Sequence, residues 1–151
     1  VAAFVEAAGW AGANLPEGSA VLTRKPSFFF VLGGVPSRTF PFSADPAVHL
    51  QLADRLGIRY ELLDQWDGLA GRYVAGAVSA SPGSFCSVRG FGGAGGTQLL
   101  GVLPEESRGQ SVPSADGGVR IVGCPAGYLV GDGSAPYSLS SRIALLDRMD
   151  P

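Results

Sequence analysis

The chain has 151 residues, of which 46% are hydrophobic and only 16% charged, with a formal net charge of −2. One ordinary domain fits this length. The balance excludes the basic footprint that nucleic-acid binding needs, and Lys25 is the single lysine, so no polybasic membrane patch exists either. The charged fraction is low against the usual quarter, which suggests that a partner surface covers part of the domain. No apolar run approaches the ~20 residues of a membrane-spanning helix. The chain begins at Val1, inside an apolar segment and without a charged leader, which reads as a trimmed start.

Residues 1–13 have helical spacing through Phe4, Val5, Ala8 and Ala11. The other faces, with Ala3, Ala7 and Trp10, are nearly as apolar, so this helix is buried or faces a partner. Turn residues 14–18 end it. Residues 19–23 read as a strand buried on both faces. Pro26 opens a short helix that Gly33-Gly34 closes. Residues 38–42 read as a strand, and Pro41 places it at an edge or a strand end. Asp45 is a good N-cap with Pro46 behind it. The following helix puts Val48, Leu52 and Leu56 on one stripe and stops at Gly57. A strand over residues 58–63 leads to a helix from Asp67 or Gly68 to about Ala80.

Beyond Pro82 strands and turns dominate. Residues 85–88 and 98–103 read as strands joined by a glycine-rich loop, 105–118 as a polar loop, and 119–122 and 128–130 as short strands. Residues 141–149 have the pattern of a last amphipathic helix. The fold expected is a single α/β domain: a layered sandwich with an alternating helix–strand first half and a partly antiparallel, strand-rich second half. Its core lies within 1–103, with 104–151 as an extension.

Residues 90–95 match G-x-G-x-x-G, but a dinucleotide site needs a helix directly afterwards, and Gly101 and Pro104 leave room only for a strand. A hairpin tip is the better reading. His49 is the only histidine, so a three-histidine zinc site is excluded, and a position on an amphipathic helix reads as surface or rim. No G-x-S-x-G elbow occurs. Neither a catalytic set, a metal site nor a cofactor is expected. Asp64 and Asp67 follow the third strand, where α/β folds place ligands, and Arg24-Lys25 ends the first strand at the same rim if the two run parallel. These four, with Trp66 and Tyr73 as a possible stacking platform, are the candidate ligand-binding residues. Ordinary salt bridges, a helix cap and core anchoring account for the same residues. Cys86 and Cys124 are either a disulfide, closing a loop of roughly 38 residues for ~4 kcal/mol, or two buried thiols; the residues alone leave this open.

Several short motifs occur in a familiar order. They are Trp10 with the run 14–22 (NLPEGSAVL), Arg24-Lys25-Pro26 with 28–33, Phe40-Pro41-Phe42 and Asp45-Pro46. The run 56–64 (LGIRYELLD), Arg72-Tyr73-Val74 and Pro82-Gly83-Ser84-Phe85 continue it. Over residues 1–103 the chain resembles the soluble extracytoplasmic C-terminal domain of bacterial polytopic glycosyltransferases of the dolichyl-phosphate-mannose type, the C superfamily. In that family the acidic catalytic residue lies on a loop of the membrane part, so no catalytic residue carries over here. Residues 104–151, Cys124 included, depart from the family pattern.

The resemblance implies a non-catalytic accessory domain outside the cytoplasmic membrane. It would position the acceptor or cap the active-site cavity. Its partners would be the transmembrane part of the same polypeptide and a glycan or lipid-linked sugar. An extracytoplasmic address also favours a Cys86–Cys124 disulfide. Two other readings stand beside it. One is a free-standing small hydrolase or transferase with its site at Arg24, Asp64 and Asp67; the other is a structural interaction module.

Overall fold

The computed structural model describes residues 1–93, 96–109, 111–113 and 119–125. The first half alternates as expected: α1 (Ala2–Asn14), β1 (Val21–Thr23), α2 (Pro26–Gly33), β2 (Ser37–Thr39), α3 (Pro46–Leu56), β3 (Tyr60–Leu63) and α4 (Leu69–Ala80). Then come β4 (Phe85–Phe91), β5 (Thr97–Val102), β6 (Ser111–Pro113) and β7 (Val119–Gly123). The strand expected at 128–130 and the helix expected at 141–149 lie outside the described residues.

The seven strands form one mixed sheet in the order β2-β1-β3-β5-β4-β7-β6. β1 pairs parallel with both β2 and β3. β5 then runs antiparallel to β3 and to β4. β4 and β7 pair parallel, and among the described residues β6 is the far edge, antiparallel to β7. β2 is the other edge, in keeping with its flanking prolines. The glycine-rich loop is the tip of the β4–β5 hairpin, so a strand stands where a dinucleotide site would need a helix.

Strand alternation feeds two cores, one on each side of the sheet. Val21, Tyr60, Leu62 and Leu99 face α1 and α2, meeting Phe4, Ala8 and Phe29. Leu22, Ile58 and Leu100 face the opposite way, against Leu56 of α3 and Ala70 and Val74 of α4. Three layers result, helices over both faces of the sheet. α1 and α2 approach so closely that a Cβ on Gly12 would collide with the Gly33 carbonyl, and one on Gly33 with the Ala8 carbonyl.

Local chemistry sets the helix ends. Asp45 accepts from the Ala47 amide at 3.0 Å, and Gly57 closes α3 in the left-handed region at φ 69°. The buried stripe of α3 differs from the expected Val48, Leu52 and Leu56. It is His49, Ala53 and Leu56, while Val48 is exposed. The i, i+4, i+7 set stays on one line, whereas 48, 52 and 56 drift around the helix. Ala53 meets Ala77 of α4 along that line.

A disulfide joins Cys86, near the start of β4, to Cys124, just past β7. The Cys124 amide also donates to the Ser87 carbonyl at 3.0 Å. The link ties the last described segment to an inner strand of the sheet, and it suits an oxidising compartment.

Candidate functional site

β1, β2 and β3 run in the same direction, so their carboxyl ends share one rim. The connection from β1 leaves through α2 toward β2, on one face of the sheet; β3 leaves through α4 on the other face. The two loops therefore diverge, and the crevice between the ends of β1 and β3 is a topological switch point, where open α/β sheets place ligands.

The six residues singled out in the sequence fall at or just beneath this rim, packed on one another and on Phe28 and Phe42. Arg24 follows β1 and donates through Nε to Asp67 Oδ2 at 2.7 Å, linking the two loops. Asp67 Oδ1 also accepts from the Leu69 amide at 3.1 Å, so it caps α4 although Gly68, at φ 82°, holds the N-cap position. Two aromatic stacks flank the ion pair. On the α2 side Phe28 lies on Trp66 (centroids 5.8 Å, 17° between planes), with the Lys25 ammonium 5.5 Å from the Trp66 ring centre. On the α4 side Phe42 lies on Tyr73 (5.4 Å, 12°), with the Arg24 guanidinium 5.8 Å from the Phe42 centre. Trp66 also meets Phe4 edge-on at 5.2 Å. The expected stacking platform is thus already occupied by protein aromatics on at least one face of each ring.

Asp64 lies beneath this rim, 1% exposed. Its Oδ1 accepts from the Trp66 amide at 2.8 Å, fixing the turn after β3. Oδ2 is buried and has no hydrogen-bond partner among the described residues; the same holds for Thr23 Oγ1, at the end of β1. Burial raises the Asp64 pKa, and the carboxylate of Asp67 adds to the effect. The Trp66 amide, Arg24 and Lys25 oppose it.

Sequence reasoning missed the other buried polar pair. His49, expected at the surface, is fully buried on α3. Its Nε2 donates to the Ser43 carbonyl at 2.6 Å, and its Nδ1 stands 2.6 Å from Glu61 Oε1. Burial alone would lower the His49 pKa, but the Glu61 carboxyl and the Ser43 carbonyl override it and raise the value. Burial raises Glu61. Both directions have one physical meaning: the pair holds its shared proton tightly. A usable signal was present. Glu61 lies in a strand buried on both faces, and a buried carboxyl requires a partner. The pair joins α3 to β3 and lies apart from the rim.

No group of three or more metal-ligating side chains occurs among the described residues. No protein-family model, curated protein or solved structure matches this chain.

Proposed function

We propose that this chain is a non-catalytic accessory domain on the extracytoplasmic side of a membrane glycosyltransferase that uses a lipid-linked sugar. It sits against the membrane part of the same polypeptide and caps the active-site cavity or positions the acceptor. The observation that carries this reading is the outer face of α2. Phe28 is 54% exposed and Val31 79%, with Phe30 and Leu32 also exposed, on a helix that has no charged residue. Val5 of the neighbouring α1 and Val1, which precedes it, are exposed as well. Apolar surface of this kind marks an interaction site. The Cys86–Cys124 disulfide supports the oxidising address, and the motif order over residues 1–103 supports the family.

The test is the natural gene together with a crosslink. The reading expects about ten apolar spans encoded upstream of Val1, and a photo-crosslinker at Val31 joining the domain to that membrane part. An open reading frame that starts near Val1 with no apolar spans ends the proposal, and so does glycosyl transfer by the isolated chain. The buried Asp64 favours a second reading, a small hydrolase or transferase acting at the rim. Turnover abolished by Asp64→Asn in the isolated chain would establish it.

A further inference from the structure

On the α3–α4 side the sheet is covered only in part. Alternation along the strands turns Gln98 and Leu100 of β5, Ser87 of β4 and Ile121 of β7 to that side. The helices α3 and α4 meet Leu22, Ile58, Leu100 and Phe85 there. Ser87 and Ile121 lie past α4, and no described helix is seated over them. A groove of about 400 Å³ runs between this strip of sheet and the flank of α4, where Ala75 and Val78 form its wall. Leu100 and Ile121 give it an apolar floor, and the Gln98 amide donates to the Ser87 hydroxyl at 2.6 Å. Val78 and Ile121 are only half-buried. From β5 across β4 to β7 is two strand spacings, about 10 Å, the diameter of one α-helix. The strip has room for one more helix.

The chain itself supplies a candidate at this spot. Gly123, the last residue of β7, stands opposite Ser87 of the groove. Cys124 is held beside it by the disulfide to Cys86 and by its amide on the Ser87 carbonyl. Residues 126–151 follow and lie outside the described residues. Within them, residues 141–149 (SRIALLDRM) carry Ile143, Leu146 and Met149 at helical spacing, with Arg148 opposite. A helix this short is unstable alone in water and folds only on an apolar surface. The connection over residues 126–140 can extend roughly 50 Å, so it does not restrain the stripe from the groove. Tethering also gives the stripe an effective concentration on the order of millimolar, an advantage over any separate molecule.

The geometry points to residues 141–149 as the helix that covers this groove, with Ile143, Leu146 and Met149 set on Val78, Leu100 and Ile121. The inference does not rest on the membrane-enzyme reading. It concerns the face of the sheet opposite α2, and each stands without the other.

In the full 151-residue chain a photo-crosslinker at Leu146 should join the groove of the same molecule, within residues 75–78, 98–100 or 121. Mixing isotope-labelled and unlabelled chains separates links within one molecule from links between two. In hydrogen exchange the amides of residues 141–149 should be slowed about tenfold or more against an unfolded chain. Ala75→Trp fills the groove from its wall, and Leu146→Asp charges the stripe; each should abolish that protection. Free exchange of residues 141–149 in the wild-type chain overturns the inference. So do crosslinks that land outside the groove or between two molecules, and protection that survives Ala75→Trp. The crosslink is read with the groove unaltered, so it decides the matter even if Ala75→Trp fails to fold.

Discussion

His49 Nδ1 stands 2.6 Å from Glu61 Oε1 in the interior, where neither side chain reaches solvent. The imidazole must keep a proton on Nε2, because the Ser43 carbonyl facing it can only accept. A second proton is then shared with the carboxyl. The folded state binds that proton more tightly than the unfolded chain, since both groups are shifted upward.

The sign follows from linkage. A raised His49 stabilises the fold fully below its ordinary value of 6.5 and loses that contribution as pH rises through the folded value. Glu61, also raised, acts in the same direction from lower pH. Thermal midpoints should therefore fall as pH rises above the ordinary histidine value of 6.5. Glu61→Gln should flatten this slope. A wild-type midpoint that climbs over the range would contradict the assignment. His49→Ala should cost about 3–5 kcal/mol in chemical denaturation, because it strands a buried carboxyl.

Gly33→Ala should destabilise by at least about 2 kcal/mol, since its methyl meets the Ala8 backbone, which cannot rotate away. Gly12→Ala should do the same against Gly33. Gly9→Ala is the control. It sits on the same helix with nothing within 4 Å of the added carbon, and should gain up to ~1 kcal/mol of helix propensity. Urea midpoints separate the three.

Reduction of Cys86–Cys124 should lower stability by about 2–5 kcal/mol, consistent with the 38-residue separation it closes. The loss should begin at β6 and β7, which Cys124 ties to β4. Hydrogen exchange with and without reductant reads both the size and the place. Uniform loss of protection across β1 and β3 would count against that order.

Val31→Ser and Leu32→Ser should leave the midpoint within about 0.5 kcal/mol of wild type, because both side chains already face solvent. Both should reduce binding of a hydrophobic dye, which reads the exposed apolar face directly. A large drop in stability would mean that the face is internal packing.

Much of the architecture was legible because its signals are local. Pro26, Asp45-Pro46 and Gly57 mark helix ends by backbone geometry that few other residues satisfy. The rim set was legible through topology: once β1 and β3 run parallel, Arg24 and Asp67 must share an edge. What failed depended on contacts distant in sequence. The stripe of α3 turned on where Ala53 finds Ala77. His49 was misplaced because its partner lies twelve residues away on another element. Thr23 drew no notice, since a threonine ending a buried strand is unremarkable until the atoms around it are known. The Cys86–Cys124 disulfide, left open by the residues alone and favoured by the resemblance, is borne out, with the β4–β7 pairing bringing the two together.

The sheet is blunted at both margins. β2 is three residues long between Pro36 and Pro41, and β6 ends on Pro113. Proline offers no amide proton, so a stranger's backbone finds little to zip onto at either border. Strand addition at these two borders of the described residues is thereby disfavoured, while the exposed apolar face of α2 offers a different kind of contact surface.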